Sequence, residues 1–340
     1  MHSLRRGGTA SPRRYADAPE LADAVARLAR ASVLVVGDAM LDRYIFGHLA
    51  PAGLDGAAPV LEVERELALP GGAVNVVRNL TALGAAVAFV SVVGDDQTGS
   101  DLTGLIGGQP GVEPWLLVQG GRTTTLRTRY VADGAPVLRA DQEDTGPIHA
   151  KLAERLLRIA RDSMAATAAT VLSDYGKGVL AEDMPQLLIG AARQARRPVI
   201  VDPRGAECAR YAGADVIVPT RRELADATGL PVETDAEAAA AAINLRERHG
   251  FGAVLVLRGD AAMTLADAEG ARQFPADPPD GIDAASVGDS VIATLAAGLA
   301  VGMELAMAVR LASVAAGVVA GKAGTAMVAQ DSELLSALAG

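Results

Sequence analysis

The run Ser32-Val-Leu-Val-Val-Gly37 is continuously apolar, and an amphipathic helical pattern over residues 17–31 leads into it. A short β-branched run of this kind predicts a strand buried on both faces. Similar runs alternate with alanine- and leucine-rich stretches along the chain, which indicates an α/β fold with a parallel sheet covered on both faces. The other strands are predicted at 87–93, 168–172, 199–201, 216–218 and 253–257, and the later helices at 73–83, 151–165, 182–195, 221–228, 235–249, 289–301 and 305–321.

Two stretches break this pattern because polar and apolar residues alternate in them. Examples are Leu61-Glu-Val-Glu-Arg and Thr123-Thr-Thr-Leu-Arg-Thr-Arg-Tyr-Val. Alternation predicts half-exposed, antiparallel strands. We expect strands drawn from about 44–69 and 115–141 to form a small sheet that acts as a lid over the carboxyl ends of the parallel strands, where ligands bind in such folds.

Composition limits the possible partners and the location. The chain has 340 residues, of which half are hydrophobic and 3% aromatic, and its formal charge is −10. The charge argues against nucleic-acid and anionic-membrane partners. Cys208 is the only cysteine, which excludes a disulfide scaffold and fits a reducing compartment.

The organisation predicted from these patterns is one large domain. Residues 1–31 form an extension and a helix, with 1–16 disordered, and 32–335 form the domain with its lid strands. The N-terminal arginines have no apolar signal region after them, and the apolar stretches at 291–303 and 311–321 are too short to span a bilayer. We therefore expect a cytoplasmic protein without a membrane partner.

The segment Ser286-Val-Gly-Asp289 stands directly before the apolar helical run 291–300. Unpaired backbone N–H groups in the first turn of a helix can hold a phosphoryl group, and the helix dipole adds favourable charge. Asp289 could accept a proton from an attacking hydroxyl. Taken alone, the segment is explained more simply by an aspartate that caps a core helix.

Three further segments have features of binding loops. Pro70-Gly-Gly-Ala-Val-Asn75-Val has a glycine pair that lets a ligand approach the backbone, and its asparagine can bind a hydroxyl. Leu172-Ser-Asp-Tyr-Gly-Lys-Gly178 and Val201-Asp-Pro-Arg-Gly205 each follow a predicted strand. Both could equally be ordinary surface turns.

In order and spacing, these segments resemble the ribokinase-like (PfkB) carbohydrate kinases over residues 33–329. Gly37-Asp-Ala-Met-Leu-Asp42 is similar to the end of the family's first strand, and Arg122-Thr-Thr-Thr with Leu138-Arg-Ala-Asp141 is similar to its lid strands. The 172–178 loop and the run Ala315-Ala-Gly-Val-Val-Ala-Gly-Lys-Ala-Gly-Thr325 are most similar to the branch that phosphorylates D-glycero-β-D-manno-heptose 7-phosphate. The resemblance implies a three-layer α/β/α fold with a mainly parallel sheet and a small β-sheet lid.

The activity that the resemblance implies is transfer of the γ-phosphate of ATP to O1 of this heptose phosphate, giving the 1,7-bisphosphate. Asp289 would be the general base, and the backbone of Ser286, Val287, Gly288 and Asp289 would form the anion hole. Mg²⁺ is implied, with Glu223 holding it through water, and a monovalent cation beside the anion hole is left open. The family also implies a homodimer through the lid.

The resemblance also assigns the remaining site residues. The substrate side would comprise Asp42, Gly71, Gly72, Asn75, Arg139, Asp174 and Lys177. The nucleotide side would comprise Thr220, Glu223, Arg258, Gly259 and Ser313. The cations available for a substrate phosphate are Arg122, Arg129, Arg139, Lys177 and Arg204, each of which could instead be a solvated surface cation.

The chain departs from the family pattern mainly on the nucleotide side. Ser286-Val-Gly-Asp289 replaces the usual Gly-Ala-Gly-Asp, which adds a Cβ and a β-branched residue to a tight turn. Thr220 and Ser313 replace asparagines, Leu257 replaces a hydroxyl residue, and Ala262 replaces a glycine. On the sugar side, Leu54-Asp-Gly-Ala-Ala-Pro59 departs from the usual Ser-Pro-Glu-Ala-Pro.

Two alternatives stay open beside the heptose kinase. One is a PfkB-type kinase for another sugar phosphate or a cyclitol, with Asp55 and Gly56 as its marker. The other is a degenerate kinase that binds a sugar phosphate without turnover. Relatives that fuse this kinase to a nucleotidyltransferase have a His-x-Gly-His motif; the sequence to Gly340 has none, so we expect adenylyl transfer to belong to another protein.

Three other classes are excluded on local grounds. No Gly-x-Gly-x-x-Gly opens a helix after the first strand, which excludes a Rossmann dehydrogenase, and no Walker A motif occurs, which excludes a P-loop kinase. The four histidines are too far apart in sequence for a typical metal-hydrolase motif.

Overall fold

The computed structural model describes residues 18–50, 59–259, 262–274 and 284–320, together with Leu334. The stretch predicted to be disordered and the lid segment with Asp55 and Gly56 lie outside these residues. The helices are α1 (Ala18–Leu28), α2 (Ala73–Ala82), α3 (Gln97–Gly107), α4 (Ala150–Ala166), α5 (Met184–Ala195), α6 (Arg221–Thr228), α7 (Asp235–His249), α8 (Ala284–Ala300) and α9 (Leu305–Ala320). The strands are β1 (Ser32–Gly37), β2 (Ala39–Leu49), β3 (Leu61–Gly72), β4 (Ala86–Gly94), β5 (Val112–Gln119), β6 (Leu126–Ala132), β7 (Ala135–Gln142), β8 (Ala169–Ser173), β9 (Val199–Asp202), β10 (Val216–Ile217), β11 (Ala253–Leu257), β12 (Met263–Asp267) and β13 (Gly270–Phe274).

A mainly parallel sheet forms the middle of the molecule. Nine of the described strands belong to it, in the order β13-β12-β11-β10-β9-β8-β1-β4-β5. Strand β1 pairs in parallel with β4 and β8, and the antiparallel pairs of this sheet are β11 with β12 and β12 with β13 at one edge. The predicted parallel sheet is confirmed, and every strand predicted for it is present within one or two residues at each end.

Helices cover both faces of this sheet. Along β1, Val33 and Val35 join the apolar core under α1, α2, α8 and α9, whereas Leu34 and Val36 join the core under α4, α5 and α7. Successive residues of a strand point to opposite faces, so a continuously apolar strand is needed between two helical layers. The three-layer α/β/α architecture is confirmed.

A second, four-stranded sheet has the order β3-β2-β6-β7; its two outer pairs are antiparallel as predicted, whereas β2 and β6 pair in parallel. It leaves the large sheet at the carboxyl end of β1, because β2 starts after a single intervening residue, Asp38. Its strands β2 and β3 reach further than the predicted 44–69, from Ala39 and to Gly72, so that they extend down to the edge of the large sheet.

The prediction of lid strands over 115–141 is wrong in its first part. Residues 112–119 form β5, which pairs in parallel with β4 at the edge of the large sheet. The crossover through α3 returns the chain in the same direction as β4, and this geometry suits a parallel pair. The small sheet therefore takes only β6 and β7 from that range.

Helix α8 begins earlier than its sequence pattern predicts. The apolar pattern places the start at residue 289, whereas the helix begins at Ala284. Asp289 therefore lies in the second turn rather than the first. Among the residues that the structure describes, none of the helices has both the length and the apolar character needed to cross a bilayer.

Candidate active site

The candidate site lies where neighbouring strands of the large sheet end. Gly37 at the end of β1 pairs with Ser173 of β8, and Ser173 pairs with Asp202 of β9. Asp38 and Asp174 follow directly after the first two strands. Because parallel strands end at one edge of the sheet, these side chains come together beneath the small sheet.

Asp38 anchors the loop that follows β8. Its carboxylate is 1% exposed and accepts the backbone N–H groups of Tyr175 at 2.9 Å, Lys177 at 3.1 Å and Val179 at 3.0 Å. Burial, followed by the charge of Asp174, raises the pKa of Asp38 in spite of these hydrogen bonds. The 172–178 loop is therefore a structured element tied to β1 and not an ordinary surface turn.

Asp289 is buried on α8 at 5% exposure and faces this loop. The hydroxyl of Tyr175 donates to its Oδ1 at 3.1 Å. Asp202 lies nearby at the end of β9 and accepts the hydroxyl of Ser173 at 3.2 Å. Burial and the charges of Asp289 and Glu223 raise the pKa of Asp202 well above its ordinary value. The site therefore carries a concentration of negative charge.

Asp289 also forms part of the wall of a cavity of about 760 Å³. That volume lies in the range of pockets for cofactor-sized ligands. The cavity brings together four of the predicted nucleotide-side residues with the predicted base. Its lining includes Tyr175, Asp202, Arg204, Thr220, Glu223, Arg258, Gly259, Val287, Gly288 and Asp289. Ser313 lies half-buried on α9 and is not one of the residues that line this cavity.

Four of the departures from the family pattern line this cavity: Thr220, Leu257, Ala262 and Val287. A Cβ placed on Gly288 would lie 3.5 Å from Cδ1 of Leu257, so these two residues are neighbours. Val287 is 6% exposed and belongs to the apolar core as well as to the cavity wall. The β-branched side chain at this position is therefore accommodated by packing into the core.

Glu223 is oriented by the first turn of its own helix. Its Oε2 accepts the backbone N–H of Thr220 at 3.0 Å and the hydroxyl of Thr220 at 2.8 Å, and its Oε1 accepts the N–H of Gly205 at 3.2 Å. Thr220 and Glu223 form a capping box on α6. Within the described residues, no cluster of three or more histidine, cysteine or acidic side chains is arranged to hold a metal ion directly.

The predicted sugar-side residues meet at the junction of the two sheets. Asp42 on β2 is 4% exposed and pairs with Arg129 of β6 at 2.6 Å. A side chain on Gly71 would collide with Oδ2 of Asp42, and Gly72 has a φ of 62°, so both positions favour glycine. Asn75 lies half-buried in the first turn of α2.

The other predicted substrate residues have protein partners. Asp174 accepts the hydroxyl of Tyr211 at 2.6 Å and the N–H of Gly176 at 2.7 Å. Lys177 pairs with Glu143 at 2.7 Å. Arg139 is exposed on β7 and pairs with Asp141 of the same strand at 2.9 Å. Their roles toward a substrate remain predictions.

The remaining candidate cations differ in their surroundings. The buried guanidinium of Arg122 donates to the carbonyls of Asp144, Gly146 and Lys177, which ties two loops together. Arg204 is exposed on the wall of the cavity. Arg122 therefore has a structural environment, and Arg204 has one open to a ligand.

Sequence reasoning gave no role to four residues that the fold brings into the site: Asp38, Arg127, Tyr175 and Asp202. The guanidinium of Arg127 lies 5.9 Å from the centre of the Tyr175 ring, and its Nε is buried without a hydrogen-bond partner among the described residues. Arg127 and Arg129 are two positions apart on β6 and so share one face. The two-residue spacing from Arg129 could have indicated from the sequence that Arg127 lies at the site.

Comparison with known proteins gives relatives along most of the chain. The pfkB family carbohydrate kinase model matches residues 30–331. The bifunctional protein HldE of Acidiphilium cryptum is 55% identical over 322 residues, covering 95% of this chain and 66% of that protein. HldE of Paramagnetospirillum magneticum is 47% identical over 319 residues, covering 94% and 65%. The chain thus spans just under two thirds of the length of these relatives.

Solved structures share the fold at low sequence identity. Arabidopsis thaliana ribokinase, complexed with ribose and ATP, matches with a TM-score of 0.70 at 20% identity, covering 91% of this chain and 98% of that one. The tetrameric inhibited form of Escherichia coli phosphofructokinase-2 matches with a TM-score of 0.73 at 17% identity, covering 91% and 99%. Together with the family match, these likenesses establish the ribokinase-like fold. The chain belongs to the pfkB family of carbohydrate kinases, which are phosphotransferases that use an alcohol group as acceptor.

Proposed function

We propose that this protein transfers the γ-phosphate of ATP to O1 of D-glycero-β-D-manno-heptose 7-phosphate, with Asp289 as the general base. The observation that supports it is the position of Asp289, which is buried and lines the cavity. Its helix, α8, is also hydrogen-bonded to α2, the helix that carries the predicted sugar residue Asn75. Ser290, the next residue, donates its hydroxyl to Asn79 of α2 at 2.8 Å. Asn79 lies one turn after Asn75, so α8 and the predicted sugar residues are held together.

In this proposal ATP occupies the cavity and the sugar lies at the junction of the two sheets. Asp42, Gly71, Gly72 and Asn75 would hold sugar hydroxyls, and Asp289 would take the proton of the attacking hydroxyl as its oxygen approaches the phosphoryl group. Arg204 would interact with phosphate oxygens from the cavity wall.

Mg²⁺ fits the same site because several carboxylates concentrate negative charge beside the cavity. Glu223 would hold it through water, since two protein hydrogen bonds already direct its Oε2 toward Thr220. When bound, Mg²⁺ neutralises charge on the phosphates during transfer.

Fewer backbone N–H groups are available for the anion hole than the sequence pattern predicts. Because α8 begins at Ala284, the N–H groups of Gly288 and Asp289 lie beyond the first four of the helix and are directed to carbonyls four residues earlier. We propose that the donors for the phosphoryl group come from the turn before Gly288, which includes Ser286 and Val287.

The test is ADP release by the purified protein with heptose 7-phosphate and with a panel of other sugar phosphates and cyclitols. Asp289→Asn is expected to lower turnover by about 10²–10⁴-fold, the usual range for loss of a general base. Sugar binding, followed by ligand-induced thermal stabilisation, should persist. Asp162→Asn, at an exposed position on α4, is the matched control and should leave turnover unchanged.

The outcomes separate the alternatives. Turnover with another phosphorylated acceptor in preference to the heptose would move the proposal to that substrate. No ADP release with any acceptor would overturn the kinase proposal, and retained thermal stabilisation by a sugar phosphate would then support binding without turnover.

The single cysteine fits a reducing compartment, and we place the reaction in the cytoplasm, in a homodimer formed through the small sheet.

A further inference from the structure

The hydroxyl of Tyr175 makes a direct contact with the candidate base. It donates to Oδ1 of Asp289 at 3.1 Å, between the loop after β8 and helix α8. A carboxylate has two oxygens and about four lone-pair sites, and a hydrogen bond donated to one oxygen restrains its rotation. This contact joins the loop directly to the residue that is proposed to accept the proton.

Three independent contacts hold Tyr175 in place. Its backbone N–H is bound by the buried carboxylate of Asp38 at 2.9 Å. The next residue, Gly176, has a φ of 68° and donates its N–H to Asp174 at 2.7 Å, which fixes the turn after the tyrosine. The guanidinium of Arg127 lies over the ring at 5.9 Å from its centre. Tyr175 is therefore held by its backbone at the end of β1 and by its ring toward Arg127 of the small sheet.

We propose that Tyr175 is the positioning residue of the general base: its hydroxyl fixes Oδ1 of Asp289, so that the carboxylate is held in the orientation that receives the acceptor proton. Asp38 supports Tyr175 indirectly, because its carboxylate fixes the backbone of the loop after β8. The kinetic part of this inference depends on the proposed kinase function, whereas the positioning of the carboxylate is measurable without any substrate.

The charges around Asp289 show what the hydrogen bond has to counteract. Asp202 faces it from β9, Glu223 adds a further negative charge from α6, and Arg127 of β6 lies beyond the Tyr175 ring. Like charges repel one another in this buried space, and the hydroxyl donated by Tyr175 offsets part of that repulsion. Burial and the charge of Asp289 raise the pKa of Tyr175 well above its ordinary value, so the phenol remains a donor.

The substrate-free test is an NMR titration of protein labelled with ¹³C at the aspartate carboxyl carbons, in buffer with a metal chelator. The Asp289 signal is assigned by its loss in Asp289→Asn. In Tyr175→Phe its titration midpoint is expected to rise by about one pH unit relative to wild type, because a hydrogen bond to the charged form is lost. An unchanged midpoint would overturn the proposal.

Tyr211→Phe is the matched control, since it also removes a hydroxyl that donates to a buried carboxylate, that of Asp174 at 2.6 Å. It is expected to lower thermal stability without moving the Asp289 midpoint. An equal midpoint shift in both variants would show a general loosening of the site and would count against a specific role of Tyr175.

The kinetic test compares the same variants with ATP and the best acceptor. Tyr175→Phe should lower kcat by about tenfold with KM for the sugar nearly unchanged, and the acidic limb of the kcat profile should move to higher pH. If wild type has no turnover but the NMR midpoint shifts, the kinase proposal fails and the positioning stands. If turnover is present and both the midpoint and the acidic limb are unchanged, the positioning fails and the kinase proposal stands.

Discussion

Asp202 shows how strongly one residue is affected by the site around it. Its carboxylate lies at the end of β9 beside Asp289 and Glu223, and the combined burial and like charge raise its pKa well above 3.8. A raised pKa in the folded state means that the folded protein binds more protons than the unfolded chain between the two pKa values. The contribution of Asp202 to the free energy of unfolding is therefore fully present below the unfolded-state pKa, and it is lost as the pH rises through the folded-state pKa.

We predict that Asp202→Asn stabilises the substrate-free protein in a pH-dependent way. Asparagine removes the charge and can still accept the hydroxyl of Ser173. The gain in Tm over wild type should be small near pH 4, close to the unfolded pKa of the carboxyl group, and should grow to about 2–4 °C at pH 8.5. The measurement is thermal unfolding across this range in the presence of a chelator.

Asp162→Asn, an exposed aspartate on α4, controls for loss of a negative charge and should change Tm little at either pH. A gain in Asp202→Asn that is equal at all pH values would contradict the prediction, as would a loss of stability at pH 8.5.

At the scale of elements, α6 and α7 begin with the same N-terminal capping motif. Thr220 with Glu223, and Thr234 with Glu237, each form a complete capping box at the start of a helix. The two boxes differ in location, because Thr220 and Glu223 line the cavity and the Thr234 box does not. The same capping motif therefore lies at the candidate site in only one of its two copies.

We predict that Thr220→Ala and Thr234→Ala each lower the free energy of unfolding by about 1 kcal/mol, the usual cost of losing a threonine cap. Only Thr220→Ala should also raise KM for ATP, by about tenfold, because Glu223 loses the hydroxyl that is one of its three hydrogen-bond donors. Denaturant unfolding and ADP-release kinetics measure the two effects. Equal KM values in the two variants would show that the box on α6 is a cap and nothing more.

At the scale of the whole molecule, the small sheet carries several exposed large apolar side chains. Six large apolar side chains on or beside its strands are 40–60% exposed: Leu49, Val60, Val63, Leu67, Val137 and Leu138. Apolar residues gathered on one part of a surface mark an interaction site more often than scattered ones do. This distribution supports the proposed dimer through the small sheet.

We predict that wild type is a dimer in solution and that Leu138→Glu, at 60% exposure on β7, makes it monomeric. Burying a new carboxylate in an apolar interface is costly, so the association is expected to be lost. Leu187→Glu, at 44% exposure on α5, is the control and should remain a dimer. Size-exclusion chromatography with light scattering distinguishes the states, and a monomeric wild type would refute the prediction.

Much of the fold was predictable because its signals are local. The apolar run at β1 predicts a strand buried between two helical layers, since each residue of such a strand faces one layer or the other. The alternating patterns predicted the small sheet for the corresponding reason. Helix α3 was missed because glycine at three of its eleven positions weakens the helical pattern, and β5 was assigned to the wrong sheet because pairing partners are not a local property.

The sequence by itself determined the family and the large sheet, and it predicted Asp289, Asp42 and Gly71 as site residues, because order and spacing along the chain carry these signals. Only the tertiary structure decided which groups act on one another. Tyr175 and Asp289 are 114 positions apart, and Asp38 and Tyr175 are 137 apart, yet each pair is hydrogen-bonded. The physical reason is that parallel strands far apart in sequence end at one edge of a sheet, and side chains at that edge share charge, protons and solvent exclusion only after the chain has folded.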